Sequence, residues 1–201
     1  MILDDAGGAT PRWADAAANA FDRSVDVTSR LIPVDDVLVT FKSDPGATIP
    51  EWGVGGYTHD AHHIYVAMDP FAKHCGEFIV RTLVHEFHHA VRWRSTSLAL
   101  EELDLRDMLA SEGLAVLFEE EVLGTAPFFA TPEPATSDVA LALRALDDRP
   151  CNASEWFYGA GRVPFGFGYA LGYRLCRDYS SRRHTSPSAL IAAPSGEIIN
   201  P

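Results

Sequence analysis

Two histidines four residues apart with a glutamate beside the first, His85-Glu86-Phe87-His88-His89, are the residues whose types and spacing point most directly at chemistry. The string is an HExxH pattern. On a helix, positions four apart share one face with Cβ atoms about 6 Å apart, so the two imidazoles can converge on one metal ion. Glu86 stands about 100° further round the helix, beside such an ion rather than on it. There its carboxylate can take a proton from water activated by the metal. Val84, Phe87 and Ala90 are uncharged, as a buried metal helix requires. Two imidazoles and a carboxylate are costly to bury without a partner, and a metal is such a partner. The competing reading is a chance string on an ordinary helix, since short motifs recur in unrelated proteins.

A tetrahedral catalytic zinc takes three protein ligands and keeps its fourth position for water. A third histidine at HExxHxxGxxH spacing would fall at position 95, which is Ser95. The run Ser111-Glu112-Gly113-Leu114-Ala115 supplies a carboxylate instead, with Glu112 placed 23 positions after His89. Leu105, Met108, Leu109, Ala115 and Val116 stand at −7, −4, −3, +3 and +4 from Glu112. That places Glu112 in an apolar stripe, where an ionised carboxylate needs a cation. Pairing with Arg106 or Arg144 would meet the same need without a metal. Glu119, Glu120 and Glu121 read as a solvated charge run, and Glu101 and Glu102 as helix-start residues serving the dipole and cap. The ligand set expected is His85, His89 and Glu112 around one Zn2+ per chain, with Glu86 as general base.

These residues need helices to carry them. From 77 to about 94 the pattern is helical and apolar nearly all round (Phe78, Ile79, Val80, Leu83, Val84, Phe87, Val91), which marks a buried central helix. A second metal-bearing helix is expected from about 103 to 122, halted near Gly124. Upstream, Thr10-Pro11 reads as a cap and first helical position for a helix from about 11 to 29. Residues 34–41 and 63–68 read as strands, the first stopped by Ser43-Asp44-Pro45-Gly46 and separated from the second by the glycine-rich stretch 53–56. Downstream, Pro127, Pro132 and Pro134 make a loop. Ser137 can cap a short helix through Leu146, Asn152 with Glu155 resembles a capping box, and 165–179 reads as a further helix. The Ser/Pro/Ala-rich tail is expected to be loosely held. With no internal repeat or linker, the expectation is one helix-rich α+β domain over 1–201. Its helix and small sheet fall at 10–70, its metal-binding helices at 76–123 and its C-terminal helices at 137–195.

Composition bounds the function. With 47% hydrophobic and 22% charged residues, the chain has the make-up of a globular protein. No apolar run reaches the roughly 18 to 20 residues of a membrane span. The acidic start Met1-Ile2-Leu3-Asp4-Asp5 lacks the basic segment and apolar core of a signal peptide, so a cytoplasmic address is expected. Sixteen Lys and Arg against 28 Asp and Glu give a net charge of −12, which disfavours nucleic-acid and membrane-surface partners. Cys75, Cys151 and Cys176 stand far apart and suggest free thiols rather than a disulfide framework or thiolate site. Seven of the eight histidines fall between His59 and His89.

HEFHH followed by SEGLA resembles the gluzincin metallopeptidases, whose second metal helix often carries a glutamate in a similar motif. More closely, the chain is similar to a bacterial family described as predicted zinc-dependent proteases. That likeness runs from the GGY and strand region at 55–68 through HEFHH and SEGLA to GYALGY at 168–173. It implies a zincin-like fold, with a small sheet packed against the HExxH helix, and cleavage of a peptide or protein substrate. Peptidases of this clan usually bind substrate backbone along an edge strand, for which residues 63–68 are the candidate. They also place a Tyr, His or Arg near the developing oxyanion. Tyr169 and Tyr173 both suit that role, the resemblance favouring Tyr169; both also suit plain packing in a core helix. His88 reads as a packing residue or one that supports a ligand from behind, since ligand geometry favours the pair four apart. His62 and His63 could line the cleft, although one must face away because strand neighbours alternate.

The chain also departs from the resemblance. Many gluzincins carry an Asp four residues after the ligand Glu, where this chain has Val116, and the GxMEN exopeptidase motif is absent. The leading function is therefore a zinc-dependent hydrolase, most simply a peptidase. The alternative is a non-catalytic zinc-binding stress or interaction domain, with His74, His88 or one of Glu119–Glu121 as a fourth ligand. A metal-free core is a third reading. Substrate and oligomeric state are not written in the sequence.

Overall fold

The structure, a computed structural model, describes residues 1–4, 13–73, 76–96 and 102–200. The chain divides into two units, Met1–Arg94 and Ser95–Pro201. Within the described residues it is a helix-rich α+β fold with one small sheet, as the residue patterns lead one to expect. No helix there is long and apolar enough to cross a membrane.

In the first unit, strands β1 (Ile2–Asp4), β2 (Leu38–Ser43), β3 (Val54–Asp60) and β4 (His63–Met68) form a sheet in the order β1-β2-β4-β3. β2 runs parallel to β1 and β4, and β3 runs antiparallel to β4. Alternation sends Val39, Phe41, Ile64, Val66 and Met68 to one face, where each is fully buried. Burying each such side chain contributes about 1.5–3 kcal/mol. Helix α1 (Ala14–Thr28) is entered at Trp13, whose ring lies 6.2 Å from that of Phe41.

Helix α2 (Gly76–Thr96) buries Ile79, Val80, Leu83, Val84, Phe87 and Ala90. Trp52, in the turn before β3, stacks on Phe78 at 5.1 Å near its start. Near its end, Arg94 donates to the carbonyls of Asp35 and Pro33 at 2.8 and 2.7 Å.

Three strand expectations need correction. β2 begins at Leu38 rather than at 34, because Asp36 takes a left-handed φ of 63° and turns the chain there. The glycine-rich stretch is not a connection but the start of β3. A Cβ on Gly55 would lie 2.2 Å from the Ala47 carbonyl oxygen, so glycine serves a close approach rather than a turn. β4 has the expected bounds but is an interior strand between β2 and β3, so the sheet edge on that side is β3. The cap Thr10-Pro11 lies outside the described residues, as do His74 and Cys75.

In the second unit, α3 (Leu105–Leu123) is capped by Asp104, whose carboxylate accepts from Asp107 N at 2.8 Å. It ends at Gly124 in the left-handed region, φ 79°. Helices α4 (Thr136–Arg144), α5 (Ala153–Trp156), α6 (Phe167–Arg183) and α7 (Ser195–Ile198) follow. α4 starts one residue before Ser137 and has no side-chain cap. Asn152 does cap α5 through Glu155 N, but the Glu155 carboxylate binds Arg162 instead of completing the box.

α3 and α6 cross at Gly113 and Gly172. A Cβ on Gly113 would stand 2.3 Å from the Gly172 carbonyl, and one on Gly172 would stand 2.4 Å from Leu109 O. The tail is not loose. Ile198 and Ile199 are buried, and Arg106 Nη1 donates to Ile199 O at 2.5 Å.

Candidate metal centre

The helical spacing of His85 and His89 has the expected result. Their Nε2 atoms lie 3.0 Å apart, with the rings 4.6 Å apart and inclined at 78°. Two imidazole nitrogens on a tetrahedral zinc, each at 2.0–2.1 Å, would be about 3.3 Å apart. The pair therefore fits the ion's geometry, and both atoms are of the donor type zinc takes. His89 is buried and His85 partly exposed. Trp93, one turn further along α2, stacks on the His89 ring at 6.0 Å and 27°, which limits that ring's rotation. His88 is fully buried beside them, its ring 6.3 Å from that of His89.

Glu86 is 7% exposed and faces β3. Thr58 Oγ1 lies 2.7 Å from Glu86 Oε2 and 3.1 Å from the Glu86 carbonyl oxygen. Two residues earlier on the same strand face, Gly56 leaves the space the carboxylate fills: a Cβ there would be 2.5 Å from Oε1. The GGY run at 55–57 belongs to the family likeness, but residue type and spacing alone assign no role to Gly56 or Thr58. The signal available was Gly-Gly followed by a Tyr-Thr alternation, a pattern also consistent with a strand under close approach.

His63 lies on the opposite side of the sheet from Ile64 and Thr58, with Nε2 2.9 Å from Thr40 Oγ1 and its ring 4.2 Å from Tyr65. His62 sits in the β3–β4 turn, Nδ1 3.2 Å from Asp36 O. His63 therefore stands across the sheet from Glu86.

In the second unit, Glu112 is half-buried on α3, flanked by buried Ser111 and Gly113. Leu105, Leu109, Ala115 and Val116 of its expected apolar stripe are fully buried. Gly113 is the crossing point with α6, so the glycine of SEGLA and the second glycine of GYALGY are there for backbone contact.

The three glutamates at the end of α3 are not a solvated face. Glu119 is 1% exposed, Glu120 accepts from the Tyr173 hydroxyl at 2.7 Å, and Glu121 accepts from Ser188 N and Oγ. Helix periodicity sends one of any three consecutive residues inward, and the partners on later elements are non-local.

The two tyrosines of α6 differ. Tyr173 is committed to Glu120, with Arg177 over its ring at 5.1 Å; burial and the Glu120 hydrogen bond raise its phenol above the ordinary range. Tyr169 makes edge contacts with Phe129 and Phe157 at 5.0 and 5.1 Å and is partly exposed.

Comparison with known families gives one match: the family described as "Predicted Zn-dependent protease (DUF2268)" matches residues 17–200. No curated protein and no solved structure matches the chain.

Proposed function

The chain belongs to the DUF2268 family of predicted Zn-dependent proteases, and from that premise we propose that it is a zinc-dependent hydrolase cleaving peptide bonds. The observation that carries the reading is the 3.0 Å approach of the His85 and His89 Nε2 atoms on one helix face. The proposed ligands are His85, His89 and Glu112, two nitrogens and a carboxylate oxygen of the donor types zinc takes, within a zincin-like arrangement. This is a donor set of the catalytic type, leaving one position open.

When bound, zinc supplies Lewis-acid chemistry, acidifying a water molecule and polarising the scissile carbonyl. The remaining work falls to the chain's own residues. Glu86, one position from His85 and turned about 100° away, accepts the proton of the attacking water. It then returns that proton to the departing amine nitrogen, so the general base of the first step is the general acid of the second. Tyr169 is assigned the oxyanion role on the family resemblance, and the Tyr173 hydroxyl is committed to Glu120. A phenol donating to developing negative charge stabilises the transition state more than the ground state. The substrate is a peptide or protein, and the acidic composition weighs against nucleic acid.

The test is zinc content and peptide hydrolysis measured on the same preparations. His85→Ala and Glu112→Ala should each lose zinc. Glu86→Gln should keep zinc and lose about 10²–10⁴-fold in rate. Zinc retained in Glu112→Ala removes that ligand from the set, and a fully active Glu86→Gln removes the mechanism.

A further inference from the structure

We propose that strand β3 fixes the working position of the Glu86 carboxylate, with Thr58 as the positioning residue and Gly56 as the gap that admits the side chain. The proposal rests on the reading of Glu86 as general base. A glutamate has three side-chain torsions to order, and a base must sit within hydrogen-bond reach of the proton it takes. Helix α2 supplies only the Cα position of Glu86, so something outside the helix must choose the rotamer.

β3 does so from the same strand face with two residues. The Thr58 hydroxyl has one proton, and the nearer acceptor is Oε2 at 2.7 Å, with the Glu86 carbonyl further off at 3.1 Å. Donation to Oε2 leaves Oε1 to receive a proton. Thr58 is itself 2% exposed and β-branched, so its own rotamer is held by packing.

Gly56 acts by what it lacks. A methyl group there would meet Glu86 Oε1 at 2.5 Å, Glu86 Cγ at 2.6 Å and Thr82 Cγ2 at 2.7 Å. Thr82 stands one turn before Glu86 on α2 and closes the other side, so any side chain at 56 displaces the carboxylate rather than finding room beside it. The register Gly56↔Val66 and Thr58↔Ile64 holds both residues against β4, whose apolar side chains form the buried face. The position of the carboxylate is thereby referred to the rigid centre of the sheet.

A purely structural tie between β3 and α2 would have the same geometry, and three variants separate the two. On zinc-loaded protein, with a fluorogenic peptide chosen by wild-type cleavage of a mixed library, Thr58→Val should lower kcat about 10²-fold, the scale of an ångström-sized misplacement. KM and zinc content should be unchanged. Thr58→Ser, which restores the hydroxyl, should recover most of that loss. Gly56→Ala should lose kcat to a similar degree with every polar group still present.

The second readout uses the zinc-free protein. In a denaturant double-mutant cycle, Thr58→Val should lower the unfolding midpoint in the wild-type background and less in Glu86→Ala, where the carboxylate acceptor is gone and the more distant backbone carbonyl of residue 86 remains. Wild-type kcat in Thr58→Val, a loss that serine does not recover, or an additive cycle would each overturn the proposal. If Glu86→Gln is inactive while the cycle is additive, the positioning role fails alone. If Glu86→Gln is fully active, the general-base reading fails and takes this proposal with it.

Discussion

Replacing Gly113 with alanine asks whether two facing glycines set the separation of α3 and α6. The new Cβ would stand 2.3 Å from both the carbonyl carbon and oxygen of Gly172, and 2.8 Å from Cys176 Sγ. The first two are backbone atoms, so no rotamer change relieves them. Restoring carbon contact distances of about 3.5 Å requires the helices to part by about 1 Å. Overpacking of this kind costs about 1–3 kcal/mol, and backbone contact puts this case at the upper end. Alanine recovers about 1 kcal/mol as the better helix former, leaving a net loss of about 2 kcal/mol. For a chain of this size that is a fall in Tm of about 4–8 °C, readable by circular dichroism or calorimetry.

Two companion variants calibrate the measurement. Gly172→Ala should behave like Gly113→Ala, since its Cβ would meet Leu109 O at 2.4 Å. Gly76→Ala, with nothing within 4 Å of its Cβ, should leave Tm unchanged or slightly raised. Because Gly113 adjoins the proposed ligand Glu112, the crossing variant should also bind zinc more weakly while retaining every proposed ligand. A Tm for Gly113→Ala at or above wild type would refute the reasoning.

Other outcomes follow from the same geometry. Tyr173→Phe should lose about 1 kcal/mol of stability with the Glu120 hydrogen bond and keep its hydrolytic rate. Tyr169→Phe should do the reverse, lowering kcat at constant KM; equal rate losses would remove the distinction. Burial, then the Asp104 and Glu155 carboxylates, push the Cys151 thiol from the ordinary 9.0 up to about 12. A folded pKa above the unfolded one gives a contribution to stability that is complete below pH 9 and lost as pH rises toward 12. Cys151→Ser should therefore show a shallower alkaline decline in denaturation midpoint, and parallel curves would contradict the shift. Arg106→Ala, which removes donors to Ile199 O and Asp147, should make the C-terminal residues an earlier target of limited proteolysis, with no change if the buried isoleucines alone hold them.

Elements whose identity rests on their own periodicity were readable from the residues alone. α2 and α3 fall within two residues of their expected bounds, and β4 has the bounds its alternation indicates. The approach of the His85 and His89 rings follows from spacing on one helix. Features that depend on a distant partner were not readable. β1 is three residues long and exists by parallel pairing with β2, whose first partner residue is Thr40. β3 was hidden by glycines that locally read as a turn and are explained only by Ala47 and Glu86 pressing against them. The same holds for Glu119 to Glu121 and for the tail, where polar or Pro-rich composition masked buried positions with partners far along the chain. Glu112 is intermediate: its apolar neighbours were legible, whereas the glycine crossing beside it was not.

The placement of Thr58 and Gly56 on an outer strand has a dynamic consequence. Sheets open from their margins, and strand ends with one neighbour exchange their amide hydrogens sooner than central strands. β3 has β4 as its ladder partner, whereas β4 is paired on both sides. Each brief fraying of β3 therefore releases Glu86 from its hydroxyl contact and from its groove together. Amide exchange at Tyr57 through His59 should then report, residue by residue, how much of the time the carboxylate is held. A peptide laid along the outer margin of β3, beyond the bridge that Ile49 makes to Val54, would slow that exchange, so that occupancy of the strand and readiness of the base would rise together.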